Sequence, residues 1–169
     1  MDLRSHRINA AGGEAEPVQA APDPQMPLEN FVSRLEQDRA SSPDGLYWWR
    51  LGERVDLGSL GILGSAVAAR RTLGEALRSF ARGFPLLQSN SDVSFEVNGD
   101  EAQICYRVLD PRIWPRRGDS ELTLGLIRGI CDRYGVPARR SGIYALNMRR
   151  TAIHVRLPAI WAEPPLWRG

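Results

Sequence analysis

Hydrophobic residues between positions 28 and 35 recur at the spacing of an α-helix. Pro27 suits the first turn of a helix, and the next apolar residues follow at i, i+3, i+4 and i+7, which predicts a helix ending near Ala40. The residues of this apolar stripe are Leu28, Phe31, Val32 and Leu35. A turn is predicted at residues 41–45, and the aromatic cluster at residues 46–51 is interpreted as a short helix.

Three glycines recur every third residue in the apolar stretch between Leu57 and Ala69. They are Gly58, Gly61 and Gly64. On a short helix such a face has no side chains, so another backbone could approach it closely. The alternative is a loop with several turns.

The next segment carries the strongest helix pattern in the chain. Thr72 followed by Glu75 fits a capping box, in which the two side chains satisfy backbone donors at a helix start. Gly83 and Pro85 are predicted to end this helix. Its apolar stripe consists of Leu73, Ala76, Leu77, Phe80, Ala81 and Phe84.

Strict alternation then predicts a β-hairpin with one buried face. Its turn is either Asn98-Gly99 or Gly99-Asp100, and both choices keep the same side chains on the same face. The inward residues are Val93, Phe95 and Val97 on one strand and Ala102, Ile104, Tyr106 and Val108 on the other.

A further amphipathic helix is predicted to begin with Asp119 or Ser120 as its cap and to run through Tyr134, where Gly135 and Pro137 end it. Its inward residues are Leu122, Leu126, Ile127, Ile130, Cys131 and Tyr134. Residues 143–146 and 153–157 are interpreted as two more strands that join the hairpin. The predicted fold is therefore α+β, with amphipathic helices packed on a small antiparallel sheet built from a central β-hairpin.

Length and composition favour one ordinary domain. The chain has 169 residues, 43% of them hydrophobic, and no apolar run long enough to span a bilayer. Residues 26–157 are predicted to form the domain, with a mobile arm at 1–25 and a Pro/Trp-rich tail at 158–169. Because the first residues lack the apolar core of a secretory signal, a cytoplasmic location is expected.

Charge and residue chemistry narrow the function classes. All 22 basic residues are arginine, but 20 acidic residues interleave with them and leave a net charge of +2, unlike the one-sign surface of a DNA-binding domain. No catalytic constellation, phosphate-binding glycine loop or metal-ligand spacing is present, so no enzyme activity, metal or cofactor is predicted. Cys105 and Cys131 are expected to be thiols.

The order of these segments resembles the effector-binding N-terminal domain of AraC-type bacterial transcription regulators, in the arabinose-binding-like branch. The resemblance covers roughly residues 8 to 150. It is carried by residues 23–28 before the first helix, Leu51-Gly52-Glu53, residues 60–64, residues 72–77 and the hairpin.

The resemblance implies a domain that binds a small-molecule effector to control transcription. DNA would be bound through a separate C-terminal domain of two helix-turn-helix units, which is expected to be absent from this chain. A homodimer is compatible with this function, and no membrane partner is expected. Two alternatives stay open: a dimerisation or protein-interaction module without a small ligand, and a cupin-like barrel, against which the helices before the hairpin argue.

Candidate ligand-binding residues are the large rings near the ends of predicted elements, because a ring can place an apolar body in a core with a polar tip reaching out. They are Trp48, Phe84, Tyr106, Trp114 and Tyr144. Each ring is also a good core residue. Arg107 and Arg116 could meet an anionic effector, but a solvated charge is the expected state of both. His154 is expected to face solvent on an edge strand.

Overall fold

The computed structural model describes residues 26–98 and 101–136, together with the backbone of residues 153–157. The predicted arm at 1–25, the tail at 158–169, the strand at 143–146 and Pro137 lie outside these residues. Five α-helices and a three-stranded antiparallel sheet make up this part of the chain. The α+β prediction is confirmed.

The first two helices follow the predicted pattern. Helix α1 spans Leu28–Ser41 and buries Leu28, Val32 and Leu35, and helix α2 spans Tyr47–Arg54. The aromatic cluster is thus helical, as interpreted.

The glycine-spaced segment is helical, and of its three glycines Gly64 is the one that closely approaches the backbone of a neighbouring element. A 3-10 turn at Leu57–Leu60 precedes helix α3 at Gly61–Ala68, and Gly61 has a φ of 60° at the junction. A Cβ on Gly64 would lie 1.5 Å from the Leu57 carbonyl oxygen, so this glycine accommodates the preceding turn. A Cβ on Gly61 would meet nothing within 4 Å.

Helix α4 spans Leu73–Leu87, and its capping box between Thr72 and Glu75 is present. The predicted stop at Gly83 and Pro85 is wrong, because the helix continues to Leu87 with Pro85 inside it. Proline removes one backbone donor, and burial of Phe84 in the last turns favours continuation. Gly83 instead allows α4 to pack closely against α3, since a Cβ there would lie 2.7 Å from the Leu63 side chain.

Strands β1 (Ser91–Asn98) and β2 (Glu101–Val108) form the predicted hairpin. Asn98 pairs with Glu101, as the Gly99-Asp100 alternative requires. All four inward residues of β2 are buried, whereas Val97 near the end of β1 is exposed. Strand β3 (Ile153–Leu157) pairs antiparallel with β2, which confirms the later of the two additional strands.

Helix α5 spans Arg117–Arg133, so it begins earlier than predicted and uses neither Asp119 nor Ser120 as its cap. The carboxylate of Glu36 on α1 instead accepts a hydrogen bond from the Gly118 N–H at 2.5 Å. A helix start needs acceptors for its free N–H groups, and a neighbouring helix supplies one here. Gly135, with a φ of 72°, follows the end of the helix as predicted.

Helix α5 is buried on most of its surface, and its closest approach is to α2. A Cβ on Gly125 would lie 2.2 Å from the Trp49 carbonyl oxygen, and one on Gly52 would lie 2.3 Å from that of Leu122. The backbones of α2 and α5 therefore touch. The main core lies between α3, α4, α5 and the inner face of the hairpin.

No helix in the described part of the chain is both long enough and apolar enough to cross a membrane.

Candidate functional site

Four element ends meet on one side of the domain: the end of α4, the start of β1, the end of β2 and the start of α5. The Leu109 N–H donates to the carbonyl of Asn90 at 2.8 Å, which joins the two strand ends. The Arg116 guanidinium donates to the Val108 carbonyl at 3.4 Å, which brings the start of α5 to the end of β2. Side chains distant in sequence therefore come together here.

Three of these side chains form a buried polar cluster, which consists of Gln88, Tyr106 and Asp119. The Gln88 amide donates to the Tyr106 hydroxyl at 2.6 Å and to the Asp119 carboxylate at 3.4 Å. The Tyr106 hydroxyl donates to the other oxygen of Asp119. All three residues are buried. The cluster links the segment after α4, strand β2 and helix α5.

Burial sets the protonation of this cluster. It raises the pKa of Asp119 to about 6, although the hydrogen bonds from Tyr106 and Gln88 and the charge of Arg116 all oppose that rise. The pKa of Tyr106 is raised well above its ordinary value, first by burial and then by the charge of Asp119. The cluster can therefore gain a proton on Asp119 near pH 6, while Tyr106 remains a hydrogen-bond donor.

Two of the five candidate rings contact each other beside this cluster. Phe84 meets Tyr106 edge to face with ring centroids 5.5 Å apart, and both side chains are buried. Phe84 also contacts Phe80, so the apolar side of the cluster is aromatic.

The other candidate rings have different surroundings. Trp48 is buried in a separate small apolar cluster with Leu35 and Leu122, and its indole N–H donates to the Leu35 carbonyl at 2.9 Å. This ring therefore stabilises the packing of α1, α2 and α5. Tyr144 lies outside the described residues.

Trp114 is 63% exposed, in the loop between β2 and α5. The guanidinium carbon of Arg116 lies 5.5 Å from its ring centroid. Arg116 itself is only 7% exposed, so the prediction of a solvated charge is wrong for this residue. Arg107 is exposed, as predicted for a solvated charge, and its guanidinium forms an ion pair with Asp92 at 2.9 Å. Trp114 and Arg116 thus lie at the outer side of the buried polar cluster.

Gln88 and Asp119 are members of the cluster that sequence reasoning did not identify as site residues. Asp119 has the position of a helix cap in the sequence, and Gln88 follows a predicted stop. The signal available was a polar residue at each end of a buried element, which is weak because such residues are common. Their contacts span 18 and 31 positions in the sequence.

Among the residues that the structure describes, the other reactive groups do not gather into a site. Within the described ranges, no group of three or more His, Cys, Asp or Glu side chains could hold a metal ion. Cys105 and Cys131 are thiols rather than a disulfide, and burial raises the pKa of Cys131 to about 12. A thiol with such a pKa is a poor nucleophile.

The fold and the site define a class of protein: a small α+β domain whose interior polar cluster is assembled from several elements. A family model described as the arabinose-binding domain of AraC transcription regulators, N-terminal, matches residues 9–143. The chain belongs to this family, which is a regulatory ligand-binding domain of transcription regulators. No curated protein matches the chain.

Proposed function

We propose that this chain is the sensing domain of an AraC-type transcription regulator and binds a small-molecule effector. The membership in a family of regulatory ligand-binding domains is the observation that carries the proposal. DNA contact would belong to a separate domain of the intact regulator. Because such a bacterial regulator acts on the chromosome, the proposal includes a cytoplasmic location.

The position of the buried polar cluster supports a site at this side of the domain. A ligand that exchanges hydrogen bonds with Gln88, Tyr106 or Asp119 would change how α4, β2 and α5 are held together, because each residue comes from a different segment. Buried polar groups also favour one geometry, since a lost partner is costly.

Regulation then follows from differential affinity. An effector shifts the regulator between two conformations only as far as it binds one of them better, typically by about 1–3 kcal/mol. Movement at the joined ends of α4, β2 and α5 is a local change that could be passed to another domain.

A thermal-shift screen tests the proposal. The purified chain is heated with a panel of sugars including L-arabinose, amino acids, amines and organic acids. Arabinose is included because the family description names it. A ligand at about 100 times its dissociation constant stabilises the fold by about 2.7 kcal/mol, so a dose-dependent rise in Tm with one chemical class is expected.

A flat response across the panel, from a sample that unfolds cooperatively, would contradict the sensing proposal. The alternative function, a dimerisation or protein-interaction module, then becomes the better account. Sedimentation of the chain over a range of concentrations would test it, because a dimerisation module must self-associate.

A further inference from the structure

Arg116 is a buried cation whose charge is poorly matched. It is 7% exposed, and its hydrogen bond to the Val108 carbonyl is long at 3.4 Å. No carboxylate in the described part of the chain lies within 4.0 Å of its nitrogens. A guanidinium has five N–H donors, and the Val108 carbonyl is the acceptor that the described residues supply to Arg116.

The two neighbouring arginines show that this is particular to Arg116. Arg112 is 88% exposed and pairs with Asp110 at 2.7 Å, and Arg117 pairs with Glu121 at 2.6 Å. Asp119 is within electrostatic reach of Arg116, but its two oxygens already accept hydrogen bonds from Tyr106 and Gln88. Arg116 therefore retains donors for another acceptor.

An exposed apolar surface adjoins this cation. The Trp114 ring, more than half exposed, lies over the guanidinium, and Leu109 in the same loop is 53% exposed. The combination is a planar cation with a flat apolar wall.

We propose that Arg116 and Trp114 bind a small organic acid, with the carboxylate on the guanidinium and the apolar body against the indole ring. A guanidinium can bind a carboxylate through two parallel hydrogen bonds, and indole offers a broad apolar face. This inference rests on the proposed function and names the class of its ligand.

Isothermal titration of the chain with matched acids and amides tests the inference. The probes are benzoate and octanoate, an aromatic and an aliphatic acid, with benzamide and octanamide as neutral counterparts. At least one acid is expected to bind, with its amide about tenfold weaker or worse. The acid that binds better shows whether the ring or the chain is preferred.

Variants locate the site. Arg116→Lys keeps the charge but loses the planar fork, so acid binding should weaken about tenfold. Arg112→Lys in the same loop is the matched control and should bind as the unaltered chain does. Trp114→Ala should also weaken binding, and because the ring is exposed this variant is expected to fold even if Arg116→Lys does not.

Equal binding of acids and amides, or unchanged acid binding in both Trp114→Ala and a folded Arg116→Lys, would overturn the inference. If a sugar, amine or amino acid raises Tm in the thermal-shift screen while neither acid binds, the inference fails and the proposed function stands. If no compound of either set binds, both fail.

Discussion

The hydrogen bonds of the Asp119 side chain are determined by residues distant in the sequence. Its place in the sequence suits a helix cap, but Glu36 of α1 already occupies the start of α5. The carboxylate instead accepts hydrogen bonds from Tyr106 and Gln88 inside the core. At the scale of the residue, the buried polar cluster should therefore contribute measurably to stability.

The first prediction concerns the Tyr106 hydroxyl. Tyr106→Phe removes the donor to Asp119 and the acceptor for Gln88, leaving both polar groups buried with fewer partners. We expect the free energy of unfolding to fall by about 1–3 kcal/mol, measured by urea denaturation. Tyr134→Phe is the control, since its hydroxyl is only partly buried and bonds to the carbonyls of Val67 and Arg70. A loss no greater than the control's would show that the cluster is not stabilising.

The second prediction concerns pH. The pKa of Asp119 in the fold is about 6, against an ordinary 3.8, so the neutral carboxyl is favoured in the folded state. Its contribution to stability is fully present below about pH 4 and is lost as the pH rises through 6. A difference of about two pKa units corresponds to roughly 3 kcal/mol.

Urea denaturation between pH 4.5 and 7.5 measures this effect. The free energy of unfolding should decrease across the range in the unaltered chain, and Asp119→Asn, which cannot ionise, should decrease less. The window avoids Asp110, whose pKa of about 2 affects stability only at lower pH. Parallel pH profiles for the two proteins would contradict the assignment to Asp119.

Sequence patterns predicted part of the site at the residue scale. Alternation along β2 placed Tyr106 on the buried face, and helical spacing placed Phe84 in the core. Neither pattern could identify Gln88 or Asp119, because their roles depend on partners 13 to 31 positions away. Arg116 was expected in solvent for the same reason: local sequence does not show what covers a side chain.

At the scale of elements, the contact between α2 and α5 depends on glycine. The third prediction is that Gly125→Ala destabilises the domain, because the added Cβ would lie 2.2 Å from the Trp49 carbonyl oxygen. Alanine favours a helix by up to about 1 kcal/mol, but overpacking typically costs about 1–3 kcal/mol, so a net loss is expected.

Thermal and urea unfolding of Gly125→Ala and Gly45→Ala would check this prediction. Gly45 is the control because a Cβ there would meet nothing within 4 Å. Its substitution should change stability by no more than about 0.5 kcal/mol. Equal stability of the two variants would show that α2 and α5 do not pack as described.

Element boundaries were predictable where the signal is local. The Thr72–Glu75 capping box and the alternation of the hairpin involve near neighbours, and both were correct. The end of α4 and the start of α5 were not, because core packing carries α4 past Pro85 and α1 supplies the acceptor for α5. The glycines at which α2 and α5 meet are Gly52 and Gly125 rather than the regularly spaced set, since only tertiary structure shows which helices meet.

At the scale of the whole molecule, the order of elements was sufficient to predict the α+β fold and the family. Both depend on the order of the helices and the hairpin, and this order can be predicted from the hydrophobic pattern of a single sequence. The ligand and its site depend on which element ends converge, and this becomes visible only in the folded domain. The buried polar cluster, with Arg116 and Trp114 at its outer side, lies where α4, β2 and α5 are joined.

We propose that the small-molecule effector binds at this side of the domain. The most direct test is to follow the backbone amide NMR signals of the labelled chain during titration with each compound of the panel. We expect concentration-dependent shifts concentrated in residues 88–91 and 106–119. Shifts confined to other parts of the domain, or no shifts with any compound, would contradict it.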